Sequence, residues 1–231
     1  MNYASYASEK KSQREATNMR LMESGVKLED PSACYIDESV FIAPGTVILP
    51  NTTISGATVI GENCVIGPNT VITDCRIRNG CTIMCSYLMG ANIGNEVSVG
   101  PFSYLRPGTV LSDRVKIGDF VEIKNATIGE GTKASHLTYI GDCDVGRFCN
   151  FGCGTVVVNY NGKEKFRSRI GDNAFIGCNT NLVSPVEVGN RGYTAAGSTV
   201  TNDVPEGALA IARAQQKNIV GWVDRKGYLN K

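Results

Sequence analysis

The sequence predicts an all-β fold built as a parallel β-helix, and three observations carry that reading. Apolar residues recur every six positions, at Ile36, Ile42, Ile48, Ile54, Ile60, Ile66 and Ile72, without a gap. A small residue commonly stands four places after the apolar one, at Thr46, Thr52, Cys64, Thr70, Thr109, Thr155, Thr180 and Ser198. Glycine is abundant at 26 residues and aromatics are 7%, while Ile and Val are plentiful, a profile that suits short strands joined by tight turns. A β-sandwich strand alternates every second residue and does not hold a period of six. A six-residue unit cannot bury its apolar face alone, but units stacked in threes form a triangular prism whose apolar column fills the axis.

Taken in order, residues 1 to about 24 read as a helix: they are charged, poor in β-branched residues and end at Gly25, a C-cap residue. The apolar stripe is thin (Met19, Leu21, Met22), so 1–25 is expected to be a helical arm that packs on a neighbour rather than an independent domain. The β-helix is expected over 26–205. After Ile72 the register shortens by one at Ile77, Leu88 and Ile93, then runs through Val99, Leu105, Leu111, Ile117 and Ile123. Further slips lead to Ile128, Ala134 and Ile140, then Val145, Phe151 and Val157, and the period resumes at Ile170, Ile176, Leu182, Val188, Thr194 and Val200. The interruption, VNYNGKEKFRSR at 158–169, is an excursion that leaves the prism at a corner; Asn159-Tyr160-Asn161-Gly162 supplies its turn. From about Asp203 the period is lost, and 206–231 is a C-terminal arm with Arg213 and the sole tryptophan, Trp222, an arm expected to dock.

Charge excludes several functions. Lys plus Arg number 23 and Asp plus Glu 22, which leaves no electrostatic footprint for nucleic acid or a membrane surface. No apolar run approaches the ~20 residues that span a bilayer, and the polar N-terminus carries no signal core. Nine cysteines without a CxxC pair read as reduced thiols, and the expected compartment is the cytoplasm.

Residues three hexads apart lie one above another, about 4.8 Å apart. One face holds the hexads that begin at Val99, Ile117, Ala134, Phe151, Ile176 and Thr194, whose third positions are Pro101, Asp119, His136, Cys153, Cys178 and Ala196. His136 is the sole histidine, and so the natural proton carrier near neutral pH. It heads a column of small residues, Cys153, Cys178 and Ala196, a shallow slot suited to a long thin ligand. The next face holds the hexads at Leu105, Ile123 and Ile140, with Arg106, Lys124 and Gly141 at their second positions. Two cations on adjacent rungs are either a phosphate site or a solvated surface, and spacing does not decide between them. The excursion leaves on the coil after His136, so Asn159, Tyr160 and Lys165 can fold over this region. Glu122 and Tyr139, one coil apart, are both candidates to approach the imidazole, Glu122 as an orienting carboxylate.

The segments LRPGTVL, DFVEIKNA, KASHLTYIGD and CNFGCGTVVVNYNGKEKFRSRIGDNAFIGCNTNLVSPVEVG resemble the acetyltransferase half of the bifunctional N-acetylglucosamine-1-phosphate uridyltransferase/glucosamine-1-phosphate N-acetyltransferase family, from about Met19 to Trp222. The resemblance implies a left-handed β-helix and a homotrimer with sites between subunits. It implies that His136 is the general base and that Arg106, Lys124, Tyr139 and Asn150 hold the amino-sugar phosphate. Asn159 and Tyr160 would close over the acetyl-CoA site with Lys165, and acetyl-CoA would lie along Cys153, Cys178 and Ala196 and reach Arg213. The chain departs from the family in having Cys178 for a serine, Cys153 for an alanine and ARAQQ for SRVPQ near the tail. The nucleotidyltransferase half is absent from the sequence, so neither uridylyl transfer nor a metal is expected, and a separate nucleotidyltransferase subunit is a candidate partner. Three rivals remain: a Cys–His relay through Cys153 or Cys178, a different amino-sugar acceptor, and a non-catalytic trimeric scaffold for that nucleotidyltransferase. A hydratase that binds metal through three histidines is ruled out by the single histidine.

Overall fold

In the computed structural model, which describes residues 2–228, the hexads stack as parallel coils; Met1 and 229–231, the tips of the two expected arms, lie outside the described residues. Among the described residues, thirty short strands form three parallel sheets of eleven, ten and nine strands, one per face of a prism. The apolar hexad residues pair with their counterparts one coil on: Ile36 with Ile54, Ile48 with Ile66, Ile66 with Ile83, and Leu88 with Leu105. They point inward and are fully buried along the axis, as at Ile48, Ile54, Ile60, Ile66, Ile72 and Ile123. The columns read from spacing hold through the excursion, since Ala134 pairs with Phe151 and Phe151 with Ile176.

Where the small residue of a hexad is threonine, it satisfies a corner. Thr46 Oγ1 donates to the Gly61 carbonyl at 2.8 Å, and Thr109 and Thr155 donate to the carbonyls of Arg106 and Gly152, each at 2.7 Å. A buried carbonyl left without a donor would cost about 1–3 kcal/mol, which explains why threonine recurs there. Among the described residues, the corners also force sixteen non-glycine residues to positive φ, including Phe102, Phe120, Leu137 and Asp142.

Helix α1 (Tyr3–Glu23) is capped by the Asn2 side chain, which accepts from the Ala4 N–H at 3.0 Å, and it ends where Gly25 turns at φ 94°. Thr17, Asn18 and Leu21 are buried against the first coil, and Asn18 Nδ2 donates to the carbonyls of Pro31 (2.8 Å) and Cys34 (3.1 Å). Of the expected stripe, Leu21 is buried and Met22 packs on the core, but Met19 faces solvent. At the other end, parallel pairing continues past residue 205, with Val204 bridging Val188 and Leu209–Ala210 pairing with Tyr193–Thr194. A backbone ladder needs no apolar hexad to persist. The arm beyond is exposed; its short helix α2 (Trp222–Lys226) sets Trp222 against Tyr228 at 5.4 Å rather than against the prism. Among the described residues, no helix is long and apolar enough to cross a membrane.

Candidate active site

The prism positions one imidazole by register. His136 ends the strand Lys133–His136 on the first face, where the chain turns toward the second, and it pairs with Asp119 on the preceding coil. Asp119 Oδ1 lies 2.5 Å from His136 Nδ1, and this bond holds the Asp119 carboxyl below the usual carboxylate range. Nε2 makes no protein hydrogen bond among the described residues, and the side chain is 60% exposed. The backbone here is held tightly: Thr138 Oγ1 donates to the His136 carbonyl at 2.7 Å, and Leu137 takes φ 44°, a region unfavourable for a bulky residue.

The carboxylate at the imidazole is therefore Asp119 and not Glu122. Glu122 lies on the second face, in register with Tyr104 and Tyr139, and its Oε1 accepts from Arg106 Nη1 at 2.9 Å. The corner column brings Asp119 to the ring, while the flat of the neighbouring face turns Glu122 to Arg106. That hydrogen bond also holds the proton on Arg106 more tightly than usual.

At the far edge of the second face the cations gather. Lys124 Nζ lies 3.5 Å from Asp142 Oδ2, and the Lys124 ammonium, close beside the Lys165 amine, pushes Lys165 below the usual lysine range. Arg106 and Lys124 thus each have a carboxylate of their own, Glu122 and Asp142, and Lys165 is the additional positive charge. Asp142 is buried and accepts from Asn125 Nδ2 at 2.6 Å and from Asn159 Nδ2. Burial raises its carboxyl, but the two amides and Lys124 together outweigh that and leave it lowered.

Asn159 begins the excursion, a small hairpin bridged between Tyr160 and Lys165. Asn161 Oδ1 accepts from the N–H groups of Lys163 and Glu164, both at 2.8 Å, and Phe166 N donates to the Asn159 carbonyl at 2.9 Å. Tyr160 turns its hydroxyl back to the Gly162 carbonyl at 2.6 Å. Arg167 closes the base, donating through Nε to Asp144 at 2.7 Å and through Nη1 to the Asn125 carbonyl at 3.0 Å.

Beyond His136 the corner column continues with Cys153, half-buried, and with Cys178 and Ala196, both exposed. The stem of Arg213 passes beside Gly197, next to Ala196. The backbone N–H groups of Cys153 and Cys178 donate to no protein acceptor among the described residues. One chain does not gather everything. Tyr139 shares the second face with Arg106 and Lys124, but Asn150 stands on the first face between Lys133 and Phe175. Asp119, Asn125 and Asp142 are the site residues whose roles the spacing left unread. Chemically, the arrangement offers an oriented proton acceptor, cations clustered on the adjoining face and a run of small side chains along the corner.

Residues 39–74 match the family pattern described as bacterial transferase hexapeptide (six repeats). The bifunctional protein GlmU of Clostridium perfringens (strain SM101 / Type A) is 59% identical over 213 residues, covering 92% of this chain and 47% of that protein. GlmU of Clostridium beijerinckii is 54% identical over 210 residues, or 91% of this chain and 46% of that one. The chain spans about half the length of the curated relatives it matches. Among solved structures, LpxA, a UDP-N-acetylglucosamine acyltransferase from Bacteroides fragilis 9343, superposes with a TM-score of 0.53 at 18% identity, over 74% of this chain and 68% of that one, and shares the fold. Its hexapeptide repeats, and an identity above 50% over nine-tenths of its length, make the chain similar to one half of the GlmU proteins.

Proposed function

We propose that the chain transfers the acetyl group of acetyl-CoA to the amine of glucosamine 1-phosphate, giving N-acetylglucosamine 1-phosphate for UDP-N-acetylglucosamine and cell-wall synthesis. The observation that carries this reading is the Asp119–His136 pair, with Nε2 free on the coil that also presents Tyr139 beside the cations. The amine must lose a proton to attack the thioester. His136 Nε2 accepts it while Asp119 holds the Nδ1–H, fixes the tautomer and stabilises the imidazolium; such general-base help is worth ~10²- to 10⁴-fold. The amine nitrogen bonds to the acetyl carbon, and the tetrahedral oxyanion is met by the free N–H of Cys153 or Cys178. Collapse breaks the carbon–sulfur bond, and the CoA thiolate takes the proton from the imidazolium. Arg106, Lys124 and Lys165 bind the phosphate, and acetyl-CoA lies along Cys153, Cys178 and Ala196 toward Arg213, under the excursion at Asn159 and Tyr160.

A 60%-exposed imidazole and Asn150 on a separate face both fit a site completed by neighbouring copies in a homotrimer. Nine free cysteines fit a reducing cytoplasm. The test is CoA release from acetyl-CoA with glucosamine 1-phosphate, for wild type and His136→Ala. Turnover that depends on His136 supports the reading. An intact trimer without turnover supports the non-catalytic scaffold instead, and turnover with another amino sugar alone redirects the acceptor.

A further inference from the structure

Two thiols stand one above the other in the corner column that holds His136. The pairing of Phe151 with Ile176 puts Cys153 and Cys178 at the same position of consecutive coils, and the Cys153 carbonyl accepts from Asn179 N at 2.7 Å. On earlier coils that position holds Asp119 and His136, whose side chains meet at 2.5 Å, so side chains there reach one another across a rung. Paired strands lie about 4.8 Å apart, inside the Cα separation of roughly 4.4–6.8 Å that a disulfide accepts. Cys153 is half-buried and Cys178 exposed, whereas Cys34, Cys64, Cys75, Cys81, Cys143 and Cys149 are buried. Cys85, the remaining thiol with some exposure, lies several coils away, beside Phe102.

We propose that Cys153 and Cys178 form a dithiol site that reacts with small-molecule disulfides, CoA disulfide in particular, and closes a bond between adjacent coils. The Cys178 thiolate attacks one sulfur of CoA disulfide, forming a Cys178–CoA mixed disulfide and releasing one CoA thiolate. The Cys153 thiolate then attacks the Cys178 sulfur, forming the Cys153–Cys178 bond and releasing the second. Two protein thiols are oxidised, one CoA disulfide is reduced, and the two thiol protons end on the two CoA thiols. The bond draws both side chains together in the corner column, along which acetyl-CoA would lie. This consequence rests on the proposed function, and it makes the site a brake that engages when the CoA pool is oxidised.

The experiment incubates the reduced full-length chain with CoA disulfide, alkylates the remaining thiols and maps them by mass spectrometry. Free thiols are expected to fall by two from nine, with a cross-link between Cys153 and Cys178 that dithiothreitol reverses. Cys153→Ala is expected to stop at the Cys178–CoA adduct, and Cys178→Ser to form no cross-link. A wild-type chain that keeps all nine thiols, stalls at the adduct or links other cysteines overturns the proposal. Acetyl transfer is read separately, before and after oxidation. A rate that falls in proportion to cross-linking supports the brake, and a fully cross-linked chain at undiminished rate overturns it. An inactive reduced chain refutes the acetyltransferase reading while leaving the thiol chemistry to stand on its own result.

Discussion

Asp142→Asn is expected to unfasten the excursion without disturbing the coil beneath it. Asp142 sits at φ 48°, a conformation asparagine also tolerates, so the substitution preserves backbone and volume. Its two carboxylate oxygens accept from Asn125 and Asn159, and it is paired with Lys124. An amide offers one acceptor and turns its own N–H groups toward whichever partner amide it does not serve. One hydrogen bond to a charged acceptor is lost, worth about 1.5–3 kcal/mol. At about 1.4 kcal/mol per tenfold, that raises the open population of the hairpin ~10- to 150-fold. The lower end is expected, because the amide can still turn its oxygen toward Asn159. The excursion carries exposed tryptic sites at Lys163, Lys165 and Arg167, and cleavage there reports the open population when reclosing is faster than cutting. Cleavage rates within about twofold of wild type would refute the anchoring role. The sign with pH follows from the lowered folded value. The anchor is complete above the unfolded aspartate value of ~3.9 and is lost as pH falls through the still lower value in the folded chain.

Four further outcomes are expected. Asp119→Asn lowers kcat for CoA release about tenfold and leaves both KM values in place, a smaller loss than the ~10²- to 10⁴-fold of His136→Ala. The KM for the sugar phosphate rises as pH climbs toward the lysine range, since Lys165 is pushed down by Lys124 and loses its charge first; Lys165→Met removes that limb of the profile. Cys178→Ser keeps most of the activity, and an activity loss as large as that of His136→Ala would revive an acyl-cysteine relay. Ile123→Ala, at a fully buried position under the site, costs about 2–5 kcal/mol in a denaturant melt.

The prism was legible because its period is mechanical. A residue inside the axis must be apolar every sixth place, and the slips at Ile77 or Ile128 only shorten a corner. The handedness was not, since the same column register serves either hand. The columns carried more than was drawn from them. Asp119 and His136 share the third position of their hexads, which is why they touch, whereas Glu122 suggested itself by chemistry and belongs to the wrong face. The same rule on the next face picks out Asn125, Asp142 and Asn159, two places after Ile123, Ile140 and Val157, as a corner column that ties down the hairpin. Asn150 matched the family by resemblance, yet its column faces away from Arg106 and Lys124. What one chain separates, a second copy can rejoin, and no column count within a single chain shows that. Trp222 drew attention as the sole tryptophan, but its neighbour is Tyr228 on the same arm.

Helix α1 has a consequence for how such molecules meet. A β-solenoid ends in strands whose N–H and C=O groups have no further coil to bond, and two such ends invite stacking into a filament. At the first coil, Asn18 already occupies the carbonyls of Pro31 and Cys34, and Leu21 covers the apolar axis. At the other, Leu209 and Ile211 remain exposed. A polymer that grows end to end needs both surfaces bare, so one covered end is enough to stop the chain reaction.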